Sequence, residues 1–405
     1  MNGNGANLAP VVLFTYNRLR HTKQTVESLQ KNRLAEETEL IIYSDAPKSG
    51  DDKEKVWEVR EYIQSIQGFK SVSVILQNEN LGLAESIISG VTTTVNEYGK
   101  IIVLEDDIVT SENFLEYMNS ALNYYEKETR VWHIGGWNYP IKAGEMDNTF
   151  LWRVMNCWGW GTWRDRWANF EKNPQKLLKT FSDDDIRRFN LDDSLDFWIQ
   201  VKRNARGELN TWAIFWYASI FENNGLCLSP AETLVNNIGF DGTGEHKGFD
   251  CGLTNNLSNE RDFLFPSEIV ESVSQVDLIK EYISFERKFR ALKENENMMF
   301  SSRLGRMLQN IDELNKGNNS YVLYGAGSGC LLVKKFLKRP VDFIVDRDIL
   351  IENTILDGIP VFGPDKLNER GEAKVIITVF GREREIVNFL NNNLNVPLTD
   401  IILVL

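Results

Sequence analysis

The run Ile101-Ile102-Val103-Leu104, followed at once by Glu105-Asp106-Asp107, is the feature that most limits what this chain can become. Four branched apolar residues in succession read as a strand buried on both faces, as at the centre of a parallel sheet. The run stops at three carboxylates, which repel one another unless water or a cation separates them. A hard divalent cation such as Mg2+ or Mn2+ takes oxygen ligands and is commonly held by one or two carboxylates plus the phosphates of a substrate. A solvated acidic turn before the helix-like segment Asn113 to Tyr125 is the other reading of the same residues.

Three earlier stretches repeat the pattern. Val11-Val12-Leu13-Phe14 ends at Thr15-Tyr16-Asn17-Arg18, Leu40-Ile41-Ile42-Tyr43 ends at Ser44-Asp45, and Val72 to Leu76 is followed by Asn78 to Ala84. Each precedes a helical segment, so right-handed crossovers predict a parallel sheet with four polar clusters beyond the carboxyl ends of its strands. Among these, Thr15, Asn17, Arg18, Asp45, Asn80, Gly82, Glu105, Asp106 and Asp107 are the candidate ligand contacts. Asn80 and Gly82 also suit plain turn chemistry before a helix.

Those residues resemble the nucleotide-sugar half of GT-A glycosyltransferases, most closely the N-acetylglucosaminyltransferase I group and its bacterial relatives, over roughly residues 9 to 250. The resemblance implies that Arg18 contacts a donor diphosphate, that Asp45 accepts the uracil N3-H, and that Asp107 ligates the metal with Glu105 and Asp106 nearer ribose and sugar. It also implies a late histidine completing the metal shell, at His246 in the Gly-punctuated loop Asn236 to His246. In that group a carboxylate following a tryptophan serves as base, yet the matching position reads Trp212-Ala213. Asp241 is therefore the first candidate for the base, with Asp165 and Asp196 behind it.

Of the 11 tryptophans, only Trp57 lies outside residues 132–216. Indole faces pack on the C-H faces of sugars and also fill cores. The Gly/Trp alternation of Asn156 to Trp167 suits a loop close to a ligand, which makes Trp158, Trp160 and Trp163 the candidate acceptor contacts.

Charge and cysteine usage narrow the partners. A formal charge of -13 disfavours nucleic acid. Four scattered cysteines without a CxxC pair suggest reduced thiols, and no signal segment or membrane-length apolar run is visible. A cytoplasmic protein with at most peripheral contact at the inner membrane face is expected. From Pro266 to Lys316 the chain turns helical and charged, with a basic group at Lys280, Arg287, Lys288, Arg290 and Lys293. Leu304, Met307, Leu308, Ile311 and Leu314 form a stripe fit for packing on a domain or for a homo-oligomer seam.

After it, Tyr321-Val322-Leu323-Tyr324 runs into Gly325-Ala326-Gly327-Ser328-Gly329-Cys330, and Val341 to Val345 ends at Asp346, the spacing of a dinucleotide fingerprint without its third glycine. Gly325 and Gly327 are the candidate ligand contacts there, and the tail resembles the small Rossmann-like domains of bacterial sugar-modifying enzymes. The expected fold is α/β: a GT-A type mixed, mainly parallel sheet flanked by helices over 1–265, a helical connector over 266–317 and a small Rossmann-like domain over 318–405. The expected function is a metal-dependent glycosyltransferase using Mn2+ or Mg2+ and moving a sugar, with N-acetylglucosamine the candidate, from a UDP-sugar to a saccharide or lipid-linked glycan. A catalytically silent sugar- or nucleotide-sugar-binding protein is the alternative, and an NAD-dependent oxidoreductase built on the tail is less favoured.

Overall fold

The four apolar runs become four adjacent parallel strands. In the computed structural model, which describes residues 8–141, 148–241, 256–348, 351–379 and 382–404, the chain divides into two units, Met1–Glu286 and Arg287–Leu405.

The first unit begins with β1 (Val11–Thr15), α1 (Leu19–Gln30), β2 (Glu39–Ser44), α2 (Lys53–Gln64), β3 (Ser71–Leu76), α3 (Gly82–Tyr98) and β4 (Lys100–Glu105). It continues through β5 (Ile108–Thr110), α4 (Phe114–Tyr124), β6 (Val131–Gly135), β7 (Thr149–Trp152), β8 (Trp160–Trp163), α5 (Arg164–Trp167), α6 (Pro174–Thr180), α7 (Asp183–Phe189), α8 (Trp198–Ala205) and α9 (Ala213–Glu222). β9 (Leu226–Pro230), β10 (Val235–Asn237) and the start of α10 (Val273–Lys316) complete it.

Eight strands form one sheet in the order β3-β2-β1-β4-β8-β6-β9-β7. β1 pairs in parallel with β2 and β4, and β2 with β3, so that Thr15 lies opposite Ser44, Ser44 opposite Leu76, and Phe14 opposite Glu105. The register therefore delivers the four polar clusters to one rim. As expected, the sheet is mixed and mainly parallel, with β8 and β7 running against their neighbours.

Apolar residues alternate between two cores because a strand sends successive side chains to opposite faces. Val12, Phe14, Ile41 and Val103 face α3 and the tryptophans of one core. Val11, Leu13, Leu40, Ile42, Ile102 and Leu104 face the other, shared with Val26 and Leu29 of α1 and Phe114 to Leu122 of α4. β8 corrects the loop expected over this stretch. Trp160 and Trp163 stand three apart, a spacing that a strand turns into opposite faces, and each closes a different core.

The second unit holds β11 (Tyr321–Tyr324), α11 (Ser328–Phe336), β12 (Val341–Val345), β13 (Ile355–Leu356), β14 (Ile359–Phe362), β15 (Lys374–Ile377), α12 (Glu383–Asn393) and β16 (Ile401–Leu403). Its sheet order is β13-β14-β12-β11-β15-β16, parallel except for the β13-β14 hairpin. Met307 and Ile311 of α10 join Cys330 and Val333 in a core on one face, while Ile386 and Leu390 fill the other. The stripe on α10 is thus packed on this sheet at Met307 and Ile311. Of the basic group, Lys280 bonds Asp192 at 2.6 Å, and the side chains of Arg287 to Lys293, like that of Leu304, lie outside the described residues. Among the described residues Cys157, Cys227 and Cys330 are free thiols, and no helix is long and apolar enough to cross a membrane.

Candidate functional site

At the rim the chain leaves each parallel strand through a polar turn, and those turns bind one another. Arg18, directly after β1 and before α1, directs its guanidinium at the residues after β4. Its Nη2 pairs with Asp106 Oδ1 and with Asp107 Oδ2, the latter at 2.7 Å, and its Nε reaches Asp106 Oδ2 at 3.5 Å. Both carboxylates are almost fully buried. Burial pushes the Asp106 carboxyl up to about 6, with Arg18 opposing and the adjacent Asp107 adding to the rise. Burial acts to lower Arg18, and the charges of Asp106 and Asp107 outweigh it, holding the guanidinium protonated.

Asp45, directly after β2, serves a neighbouring turn. Its Oδ1 accepts from Ala46 N-H at 2.8 Å and Leu81 N-H at 2.9 Å, while Oδ2 accepts from Asn80 Nδ2 at 3.0 Å and Gly82 N-H at 2.9 Å. A carboxylate offers about four lone-pair positions, so these donors fill them. Asp45 thus fixes the entry to α3, and a base N-H at the expected uracil contact would compete with four protein donors. Asn80 and Gly82 act through the same turn.

Asn17 donates to Asp52 Oδ1 at 3.0 Å, and the Tyr16 hydroxyl accepts from Lys48 N-H at 3.0 Å, which ties the loop after β2 back to the loop after β1. Thr15 is buried and its hydroxyl faces Tyr43 O at 3.4 Å. Glu105 ends β4 half-buried, in register with Phe14.

A second layer covers the acidic tip. β10 pairs antiparallel with β5, and the following Ile238 N-H donates to Asp107 O at 2.9 Å. A Cβ on Gly239 would stand 2.2 Å from Asp107 Oδ2 and 3.0 Å from Arg18 Nη1, so only glycine lets this backbone approach so closely. Sequence reasoning missed Gly239, although its place in the Gly-punctuated loop was a signal. It also did not single out Cys157, whose thiol is pushed up by burial and by the charges of Glu105 and Asp107.

The remaining candidates separate. Asp241 pairs with His21 of α1, Nε2 to Oδ2 at 3.1 Å. Asp165 is exposed, bonds Arg166 and follows the end of β8 that lies beside Lys100, the opposite edge of the sheet from Glu105. That position removes it as a base. Asp196 is exposed and accepts from Ile199 N-H at 3.2 Å at the start of α8. His246 lies outside the described residues.

Trp160 is fully buried, stacked 5.2 Å from Trp212, and Trp163 is 2% exposed beneath Arg166. Neither presents a face to an acceptor, which corrects their assignment. Trp158 stays half-buried between Trp137 and Phe240. Gly325 and Gly327 belong to the second unit, where Gly325 lines a cleft and Gly327 is exposed in the turn before α11.

The oxygen-only donor set at the rim fits a hard cation. Asp106 and Asp107 share one guanidinium, which leaves net negative charge. Among the described residues no three metal-ligating side chains converge, so a bound Mg2+ or Mn2+ would take its other ligands from water and a diphosphate.

Residues 2–194, just under half of the chain, match the GNT-I family. The resemblance expected from the strand-end motifs is thereby found over residues 2–194, within the first unit. No curated protein matches. Solved structures with similarity include S. aureus TarS, 13% identical over 35% of this chain and 24% of that one at a TM-score of 0.25. S. aureus TarS 1-349 is 9% identical over 56% of this chain and 59% of that one, at 0.34. The mannosyltransferase PcManGT from Pyrobaculum calidifontis, in complex with GDP-Man and Mn2+, is 10% identical over 54% and 73%, at 0.32. The chain therefore spans less than two thirds of either TarS structure.

Proposed function

We propose that the protein is a metal-dependent glycosyltransferase that moves a sugar, N-acetylglucosamine first among candidates, from a UDP-sugar to a saccharide or lipid-linked glycan. The observation that carries this reading is the convergence of Arg18, Asp106 and Asp107 on the rim where the Asp45-Asn80 turn also lies. The family match supports the transferase class, and the N-acetylglucosamine donor rests on the resemblance alone.

Arg18 matches phosphate oxygens with a fork of donors and would exchange part of its carboxylate pairing for the donor diphosphate. Asp107, with Glu105 beside it on the chain, would hold the cation, which when bound supplies positive charge against the departing diphosphate. Its value is electrostatic: at an effective dielectric of about 20, a unit-charge pair at 4 Å contributes roughly 4 kcal/mol. The Asp45 turn would form the wall on which the nucleoside rests, and Trp158, half-buried between Trp137 and Phe240, stays the candidate acceptor contact.

A second reading, a silent sugar-nucleotide binder, draws on two observations. Asp165 faces the wrong edge, and Asp241 is held by His21. UDP release from UDP-N-acetylglucosamine with Mn2+ and a glycan panel tests both. Turnover that Asp107→Asn lowers by on the order of 10^2 supports transfer; UDP binding without any release supports the silent binder.

A further inference from the structure

The second unit has a cleft of its own, where its strand order reverses. β11 sits between β12 and β15; the chain passes from β11 to β12 and β14 on one side, then crosses to β15 and β16 on the other. Ligands of open parallel sheets settle beyond the carboxyl ends of strands at such a place. There Tyr324, Gly325, Asp346, Arg347, Val379 and Arg382 line a half-open depression with a cavity volume of about 70 Å³.

The cleft is polar in a graded way. On its floor Asp346, directly after β12, accepts from Ala326 N-H at 2.6 Å through Oδ2 and from Asp348 N-H at 2.9 Å through Oδ1. These two bonds fix the carboxylate and leave each oxygen a further lone pair. On its wall Arg347 donates Nε to the Tyr324 hydroxyl at 2.9 Å and lies 3.8 Å from the centre of the Phe389 ring. Arg382 is held by Glu385 through Nε at 3.0 Å and Nη2 at 2.7 Å, and the same Glu385 stands 3.4 Å from Arg347. Two guanidiniums sharing one carboxylate leave the wall positive, while the floor is negative. Gly325, at φ +105°, keeps the turn between them bare, because a Cβ there would meet Val379 Cγ2 at 2.3 Å.

We propose that this cleft binds a phosphorylated sugar, free or as the ribose phosphate of a nucleotide, with sugar hydroxyls on Asp346 and phosphate on Arg347 and Arg382. A fixed carboxylate with two open acceptor positions suits adjacent hydroxyls, and guanidinium forks suit phosphate oxygens. At about 70 Å³ the depression is far smaller than the pocket a whole dinucleotide needs and seats only the charged and hydroxyl groups of a small ligand, the rest lying in solvent. All of these lining residues belong to the second unit.

Hydrogen exchange on the full chain, read by mass spectrometry, tests it with ribose 5-phosphate, AMP and inorganic phosphate. Ribose 5-phosphate slows exchange in peptides covering 321–329 and 343–348, with an affinity at least about tenfold better than inorganic phosphate. AMP binding more tightly than ribose 5-phosphate identifies a nucleotide; the reverse order identifies a free sugar phosphate. The double variant Arg347→Gln, Arg382→Gln removes both charges while keeping most of each side chain, and it loses the ligand-induced protection measured against its own unliganded exchange. The proposal is overturned by protection confined to the first unit, by inorganic phosphate acting as well as ribose 5-phosphate, or by protection that survives in the double variant.

Discussion

His133 gives the sharpest quantitative test of how the core supports the rim. It is fully buried on β6, stacked 5.4 Å from Trp160 at 14°, with Nδ1 3.2 Å from Trp216 Nε1 and Nε2 3.0 Å from Asn156 O. Trp216 can only donate and the carbonyl can only accept, so the imidazole is neutral with its proton on Nε2. A second proton would put two donors face to face at Trp216. Burial accordingly lowers the His133 pKa to about 3, from an ordinary value near 6.5. The unfolded chain therefore takes up a proton below about pH 6.5 that the folded chain refuses until about pH 3. The stability contributed is complete above pH 6.5 and is lost as pH falls through that window. Between pH 7.5 and 5 the loss is roughly 2 kcal/mol. Urea unfolding followed by tryptophan emission measures it in the first unit alone, since all 11 tryptophans lie there. The control is His133→Gln, which removes the titration, so that other titrating groups cancel in the difference. Wild-type stability minus variant stability should fall by roughly 2 kcal/mol from pH 7.5 to 5. A difference that does not move with pH would refute the neutral, doubly bonded imidazole.

Two substitutions test the rim. Asp45→Asn turns an amide nitrogen toward two of four donors, and losing two charge-assisted bonds should lower first-unit stability by about 3 kcal/mol or more in the same urea assay. Gly239→Ala places a methyl on Asp107 and Arg18, and should weaken UDP binding at least about tenfold in calorimetry while β10 keeps its pairing with β5.

Much of the first unit was legible because parallel strands buried on both faces appear as unbroken apolar runs. Where those runs end in polar residues, the register alone brings Arg18, Asp45, Asn80 and Asp107 to one edge. β8 was not legible: Trp160-Gly161-Thr162-Trp163 looks like a Gly/Trp loop, and only the sheet shows its tryptophans pointing into two different cores. Side-chain partners were not legible either. Asp45 binds turn donors more than thirty residues later in the chain, and Asp241 meets a histidine from α1, contacts that depend on how distant segments pack. The cost of a side chain at Gly239 follows from its distance to Asp107, which no local pattern encodes.

Calorimetric titration of UDP with and without Mn2+, on wild type, Arg18→Gln and Asp107→Asn, bears most directly on the claim that one rim grips a metal-bound diphosphate. Wild type should bind UDP tightly only with Mn2+, and each variant should lose at least about tenfold. UDP affinity that ignores Mn2+ and survives both substitutions would contradict it.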